Sequence, residues 1–211
     1  MKISYAITVC NELEEIKHLV PFLLEHKRSE DEIVILWDEN GDPRVWEYLI
    51  SIPEPRHFKD YFNQNFSEWK NKLSLVCKGD YIFQIDADEI PHINLIQNLP
   101  TLLKENQLID MIRVPRVNTV EGLTEEHIQC WGWSVNEKGW INWADWQMRI
   151  YKNIPEIKWI NKVHEVLNGF KTHGMLPIEE EWALYHPKTI ERQEKAVKLY
   201  QTIDPTVKEK I

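Results

Sequence analysis

Apolar and polar positions alternate along this chain in a strand, helix, strand order. Residues 3–9 are a short β-branched run of the kind that forms a buried strand. Residues 12–27 place Leu13, Ile16, Leu19, Val20, Leu23 and Leu24 on one helical face. Asn11 is placed to cap this helix, and Pro21 is expected to kink or split it. Residues 32–37 read as a second buried strand, closed by the turn sequence Asp38-Glu39-Asn40-Gly41-Asp42-Pro43. Pro43 suits the first turn of a short helix through Trp46 and Leu49. Residues 56–62 predict a short edge strand. Residues 66–77 predict a helix with Phe66, Trp69, Leu73 and Val76 at helical spacing, and residues 81–85 a third core strand.

This alternation predicts a parallel α/β sheet, in which ligands bind beyond the carboxyl ends of the strands. The second half has a different texture. Residues 109–117 read as a strand whose Pro115 points to an edge or a bulge. The stretch from Trp131 to Trp146 fits neither period. Residues 147–152, 157–166 and 181–186 are further strand candidates, and residues 189–203 an amphipathic helix. No repeat or inter-domain linker stands out, so residues 1–211 are expected to form one domain. Residues 1–90 and 91–211 would be its two halves.

Composition narrows the function classes. The net charge of −9 argues against a general nucleic-acid binder, which needs a basic surface. Cys10, Cys77 and Cys130 form no CxxC pair, which points away from a zinc ribbon or disulfide framework and towards a reducing, cytoplasmic setting. No apolar run is long enough for a transmembrane helix, so any membrane contact, for example at an inner membrane face, is expected to be peripheral. Ten Trp residues are unusual, and five of them lie between Trp131 and Trp146. Most are expected in the core. The remainder would form an apolar wall, for which Trp143, Trp146 and the downstream Trp159 are the candidates.

All three predicted strands of the first half end in polar or acidic residues: Asn11-Glu12, Asp38-Glu39 and Asp86-Ala87-Asp88-Glu89. Any one of these has a plain structural reading: Asn11 and Glu12 as helix cap and opener, Asp38 and Asp42 as turn formers. Three together favour a site. Two carboxylates one residue apart at the end of a buried strand suit a hard divalent cation, Mg²⁺ or Mn²⁺, which would complete its shell with phosphate oxygens. Residues 146–175 add Arg149, Lys152, Lys158, Lys162 and Lys171 against Glu156 and Glu165, a local excess of positive charge facing an anion or a solvated surface.

These residues resemble the motifs of family 2 glycosyltransferases of GT-A fold, in the short form found among bacterial cell-surface-glycan enzymes. Thr8-Val9-Cys10-Asn11-Glu12 resembles the first strand and nucleotide-contacting turn, and Trp37 to Asp42 the second, with Asp38 at the base-reading aspartate. Lys70-Asn71-Lys72 before Gly79-Asp80 resembles the basic-Asn pair. Arg149-Ile150-Tyr151-Lys152, Trp159 and Val163-His164-Glu165 resemble the downstream signature. The resemblance implies a mostly parallel central sheet flanked by helices and an inverting transfer of a sugar from a nucleotide-sugar donor, UDP-linked in the commoner case. The acceptor would be a hydroxyl of a glycan or lipid-linked glycan, with residues 1–90 as the nucleotide-binding half and residues 91–211, including the wall of Trp143, Trp146 and Trp159, on the acceptor side. It further implies nucleotide-sugar contacts from Thr8, Asn11, Glu12, Asp38, Asn71, Asp86, Ala87 and Arg149. Metal contacts would come from Asp88, Asp86 and His164, and the general base would be Glu165 or else Asp145. His164 and Asn71 also have plain structural readings, and His186 is either a ligand or a strand terminator. Two rival functions are a sugar-nucleotide hydrolase or nucleotidyltransferase, and a non-catalytic carbohydrate-binding module built on the Trp stretch. The first lacks the Gly-rich N-terminal loop, and the second has no use for acids at three strand ends.

Overall fold

The computed structural model describes residues 1–206. The first half is β1 (Ile3–Val9), α1 (Leu13–His26), β2 (Glu32–Asp38), α2 (Pro43–Ser51), β3 (Arg56–Asp60), α3 (Phe66–Val76) and β4 (Tyr81–Asp86). β1, β2 and β4 are buried almost throughout, which is why their sequences are continuous apolar runs rather than alternations. They pair in parallel, with β3 on the outer edge of β2. α1 runs unbroken through Pro21, which lies on its exposed side. Its N-cap is Glu12 rather than Asn11, and no side chain makes the cap bond. α2 opens as its sequence predicts, with Asp42 accepting from the Arg44 N–H.

The second half comprises β5 (Ile90–Pro91), α4 (Ile93–Glu105), β6 (Met111–Glu121), α5 (Glu125–Trp131), β7 (Ile141–Lys152), β8 (Lys158–Ile160), β9 (Val166–Asn168), β10 (His173–Met175), β11 (Leu184–Thr189) and α6 (Ile190–Ile203). Among the described residues, nine strands join one sheet in the order β3-β2-β1-β4-β7-β6-β11-β5, with β10 also on β6; β8 and β9 form a separate hairpin. β4–β7, β7–β6 and β11–β5 are antiparallel, and the remaining ladders are parallel. This is the expected helix-flanked α/β class.

Several local expectations change. β6 is central, not an edge. Pro115 is accommodated opposite Trp146 because the ladder slips on both sides of it, between Ile112 and Arg113 and between Arg116 and Asn118. The strand expected over 157–166 is the β8–β9 hairpin, whose turn carries His164 and Glu165. The last strand begins later than expected, after a 3₁₀ turn at Glu180–Trp182.

The Trp stretch is the largest correction. Trp131, Trp133, Trp140, Trp143 and Trp146 are all half-buried, and none belongs to either hydrophobic core or packs against it. The core is aliphatic on the face covered by α1, α2 and α4. A second cluster, built around Trp69, Tyr151 and Trp159, lies on the other face. Trp159 is 4% exposed and donates its indole N–H to the Tyr151 hydroxyl at 3.1 Å, so its ring belongs to this interior and not to an acceptor wall. No helix among the described residues is long and apolar enough to cross a membrane.

Candidate active site

The carboxyl ends of β1, β2 and β4 lie side by side, and Thr8 faces Asp86 in the β1–β4 register. The turn after β2 packs directly on the turn after β1. A Cβ on Gly41 would sit 2.3 Å from the Cys10 carbonyl oxygen, so only glycine permits this approach. The Trp37 indole donates to the same carbonyl at 3.2 Å. Asp38, nearly buried, accepts from the backbone N–H groups of Asn40 (3.0 Å) and Phe62 (3.1 Å) and from the Asn40 amide. Its other oxygen faces Cys10 Sγ at 3.6 Å. Burial, together with Asp38 and Glu12, pushes the Cys10 thiol up to about 12, so it stays protonated at neutral pH. Glu12 folds back to accept from the N–H groups of Cys10 and Asn11 at 2.8 and 2.9 Å, and the Asn11 amide lies against Cys10 Sγ at 3.3 Å.

At the end of β4 the carboxylates meet four cationic side chains. Asp86 takes Arg149 at 2.6 Å on one oxygen and Lys70 at 3.2 Å on the other. Lys70 reaches Glu165 at 2.6 Å and lies 4.8 Å from the Trp159 ring centroid. Arg149 also reaches Glu89 at 2.5 Å, and Arg116 joins Glu89 (3.0 Å) to Asp145 (2.7 Å). Glu89, fully buried, further accepts from the Asp86 N–H at 3.1 Å. Burial works against a charge on Asp86, but Arg149 and Lys70 outweigh it and hold the carboxyl well below the usual carboxylate range. Asp145 is similar: burial raises its pKa, while Arg116 and the hydrogen bonds from Asn118 and Gln147 lower it further. Asn71 works from behind. Its amide donates to the Trp159 carbonyl and accepts from the Trp159 N–H, both at 2.9 Å, which fastens α3 to β8 and sets Lys70 beneath Glu165.

Asp88 has a different partner. His186 Nε2 lies 3.2 Å from its Oδ2, and Arg192 of α6 lies 3.5 Å from the same oxygen. Arg192 also bonds Glu12 at 3.2 Å and pairs with Glu15, tying the last helix to the first strand turn. The Asn118 amide nitrogen donates to Asp145 at 2.8 Å, so its oxygen is the atom 2.8 Å from His186 Nδ1. Nδ1 is therefore the donor to Asn118, and Nε2 faces the Asp88 carboxylate. Burial lowers the His186 pKa despite the Asp88 hydrogen bond. A histidine oriented through its other nitrogen is how metal-binding histidines are held. Asp88 and His186 together offer the carboxylate and imidazole donor types that a divalent cation takes, whereas both oxygens of Asp86 are already engaged by Arg149 and Lys70. Among the described residues, no group of three or more His, Cys, Asp and Glu is assembled for a metal. His164 is exposed in the β8–β9 turn, 5.4 Å from the Tyr200 ring centroid.

Sequence reasoning therefore named Asp86, Asp88, Arg149 and Glu165 together with Lys70, and the structure brings them into one cluster. It did not assign roles to Glu89, Arg116, Asn118, Lys188 or Arg192. Arg116 carried a signal, as a charge inside the apolar β6 run; Arg192 carried none.

The lowered pKa values of Asp86, Asp88 and Asp145 carry a sign. Each folded-state value lies below the unfolded one, so the stabilisation is present above the unfolded carboxylate range near ~4 and is lost as pH falls below it. The expected Tm is insensitive to these groups from pH 5 to 7 and drops steeply below about pH 4. A Tm that stays level to pH 3 would contradict this.

Known proteins match this arrangement. The sequence profile described as "Glycosyl transferase family 2" matches residues 4–166. No curated protein matches the chain by sequence. Among solved structures, S. aureus TarS 1–349 is similar at TM-score 0.62 with 12% identity, covering 96% of this chain and 64% of that one. The same protein in complex with UDP-GlcNAc gives TM-score 0.64 with 11% identity, covering 96% and 65%. Its complex with UDP gives TM-score 0.62 with 11% identity, covering 99% and 67%. The chain thus spans about two thirds of TarS 1–349. With the profile matching over most of its length and the sheet built as in these structures, the chain belongs to glycosyl transferase family 2.

Proposed function

We propose that this protein transfers a sugar from a nucleotide sugar, UDP-linked, to a hydroxyl of a glycan or lipid-linked glycan, with inversion, on the cytoplasmic side and with at most peripheral membrane contact. The observation that carries this reading is the cluster of Asp86, Asp88, Lys70, Arg149 and Glu165 where three parallel strands end, in a fold similar to a protein solved with UDP and UDP-GlcNAc. Thr8, Asn11, Glu12 and Asp38 form the nucleoside end, and Ala87 keeps the β4 turn small.

The difficult step is departure of a nucleoside diphosphate, whose developing charge needs positive partners already in place. Lys70, Arg149 and Arg192 stand there on carboxylates, and half-buried Lys188 lies near Asp88, its pKa lowered by desolvation. Asp88 and His186 would hold a Mn²⁺ or Mg²⁺ ion, which when bound neutralises phosphate charge on the leaving group. The acceptor oxygen forms the new bond to the anomeric carbon as the bond to the diphosphate breaks with its electron pair, and the acceptor proton passes to a base. Glu165 suits that role: it is partly accessible, and one oxygen is held by Lys70. Asp145 suits it less, because Arg116, Asn118 and Gln147 all donate to its carboxylate.

UDP-GlcNAc titration with Mn²⁺ tests the donor end. Asp88→Ala is expected to weaken binding about 30-fold or more, the equivalent of ~2 kcal/mol for truncating a buried charged partner. An unchanged affinity would remove the central assignment. UDP release that depends on an added acceptor supports transfer. Release at the same rate without acceptor points to hydrolysis, and glycan binding with no nucleotide affinity points to a binding module.

A further inference from the structure

Beside the half-buried Trp stretch lies an open pocket of about 630 Å³, lined by Asn136, Glu137, Lys138, Trp140, Trp143 and Glu180 among others. We propose that this pocket is a binding subsite for an uncharged saccharide, engaging the acceptor away from the hydroxyl that reacts. This rests on the transferase reading above.

The lining has the chemistry of a sugar site. Trp140 and Trp143 have ring centroids 4.8 Å apart with planes inclined at 58°, so they form a corner rather than a stack. A pyranose presents an apolar C–H face that packs on such rings and hydroxyls that need polar partners. Those partners are at hand in Glu137, Lys138 and Glu180, the mix of aromatic wall and few polar groups that small-molecule pockets use. Lys138 lies 4.3 Å from the Trp140 ring centroid and bonds Glu180 at 2.9 Å.

The loop is also preformed. The Asn136 side chain accepts from the N–H groups of Lys138 and Trp140, both at 3.0 Å. The Asn136 N–H donates to the Trp140 carbonyl at 3.1 Å, and a bridge between Val135 and Ile141 closes the hairpin. Trp140 is therefore held in place before any ligand arrives, which reduces the ordering cost of binding.

Charge decides the class of occupant. Lys138 and Glu180 neutralise each other, which leaves the lining with the single negative charge of Glu137 and no unpaired cation. An anionic glycan or an anionic lipid surface would be repelled, and membrane-seeking aromatic surfaces carry Lys and Arg instead. β7 links the pocket to the charged cluster: Trp143, Asp145 and Arg149 lie on this one strand. Trp143 and Arg149 are six positions apart, about 20 Å of extended chain, the reach of a short oligosaccharide rather than a single ring.

The test uses the full chain, wild type and the variants Trp140→Ala, Trp143→Ala and Trp140→Phe, on an array of neutral and charged oligosaccharides. Titration of the best-retained glycan, UDP titration and a melting curve follow for each protein. Wild type is expected to retain uncharged oligosaccharides. Both alanine variants should weaken that binding at least about tenfold with UDP affinity unchanged, and Trp140→Phe should restore most of it. Should Trp143→Ala melt early, Trp140→Ala on the exposed turn decides. Retention of no uncharged glycan, or equal affinity in the Trp140 variant, overturns the proposal. So does Trp-dependent sedimentation with phosphatidylglycerol vesicles in place of glycan binding. Loss of UDP binding in wild type with glycan binding intact would instead overturn the transferase reading and leave the subsite standing.

Discussion

Arg149→Met is expected to lower Tm by about 6–20 °C. This is what a loss of ~3–5 kcal/mol, the usual cost of stranding a buried charge, means for a chain of this size. Arg149 is 3% exposed and neutralises both Asp86 and the fully buried Glu89. Burial alone would lower its pKa, and those two carboxylates reverse the effect and raise it. Removing the guanidinium leaves Glu89 with Arg116 as its remaining cation and Asp86 with Lys70. The double variant Arg149→Met, Glu89→Met should regain part of the loss, because no uncompensated carboxylate then remains at position 89. Thermal melts of the three proteins check this. A fall below about 3 °C in the single variant would mean that water reaches the cluster and screens it.

Glu165→Gln is expected to reduce kcat for sugar transfer by about 10²–10⁴, the range for loss of a positioned general base, with UDP-GlcNAc affinity within about threefold of wild type. The separation follows from the geometry. Glu165 touches the donor cluster only through Lys70, whereas Asp86 and Arg149 sit at the β4 strand end itself. Glutamine preserves the shape and can still accept from Lys70, but it cannot take up the acceptor proton. Single-turnover transfer alongside donor titration distinguishes the two effects. Full residual activity would move the base elsewhere, and a parallel loss of donor affinity would make Glu165 a prop for Lys70.

Much of the first half was legible because its signals are local. β1, β2 and β4 are buried on both faces, so each announces itself as an apolar run, and the acids that follow mark where the runs end. The Asp42 cap and the helical faces of α1 and α3 are likewise written within a few residues. The second half was harder to read. α4 carries Pro100 inside an otherwise helical pattern, and β6 carries Pro115 yet sits mid-sheet, since bulges in its partner ladder absorb the missing N–H.

Sequence by itself determined the α/β class, the order of the first seven elements and the identity of the acidic strand ends, because each depends on neighbours close along the chain. Tertiary structure alone decided which cation meets which carboxylate. Lys70 from α3, Arg116 from β6, Arg149 from β7 and Arg192 from α6 converge across long sequence separations, and no period or spacing encodes their choice of partner. It also decided the fate of the Trp residues. Hydrophobicity is blind to which face of a strand or loop is covered. Only packing shows that Trp159 is sealed in the interior while Trp140 and Trp143 line an open pocket.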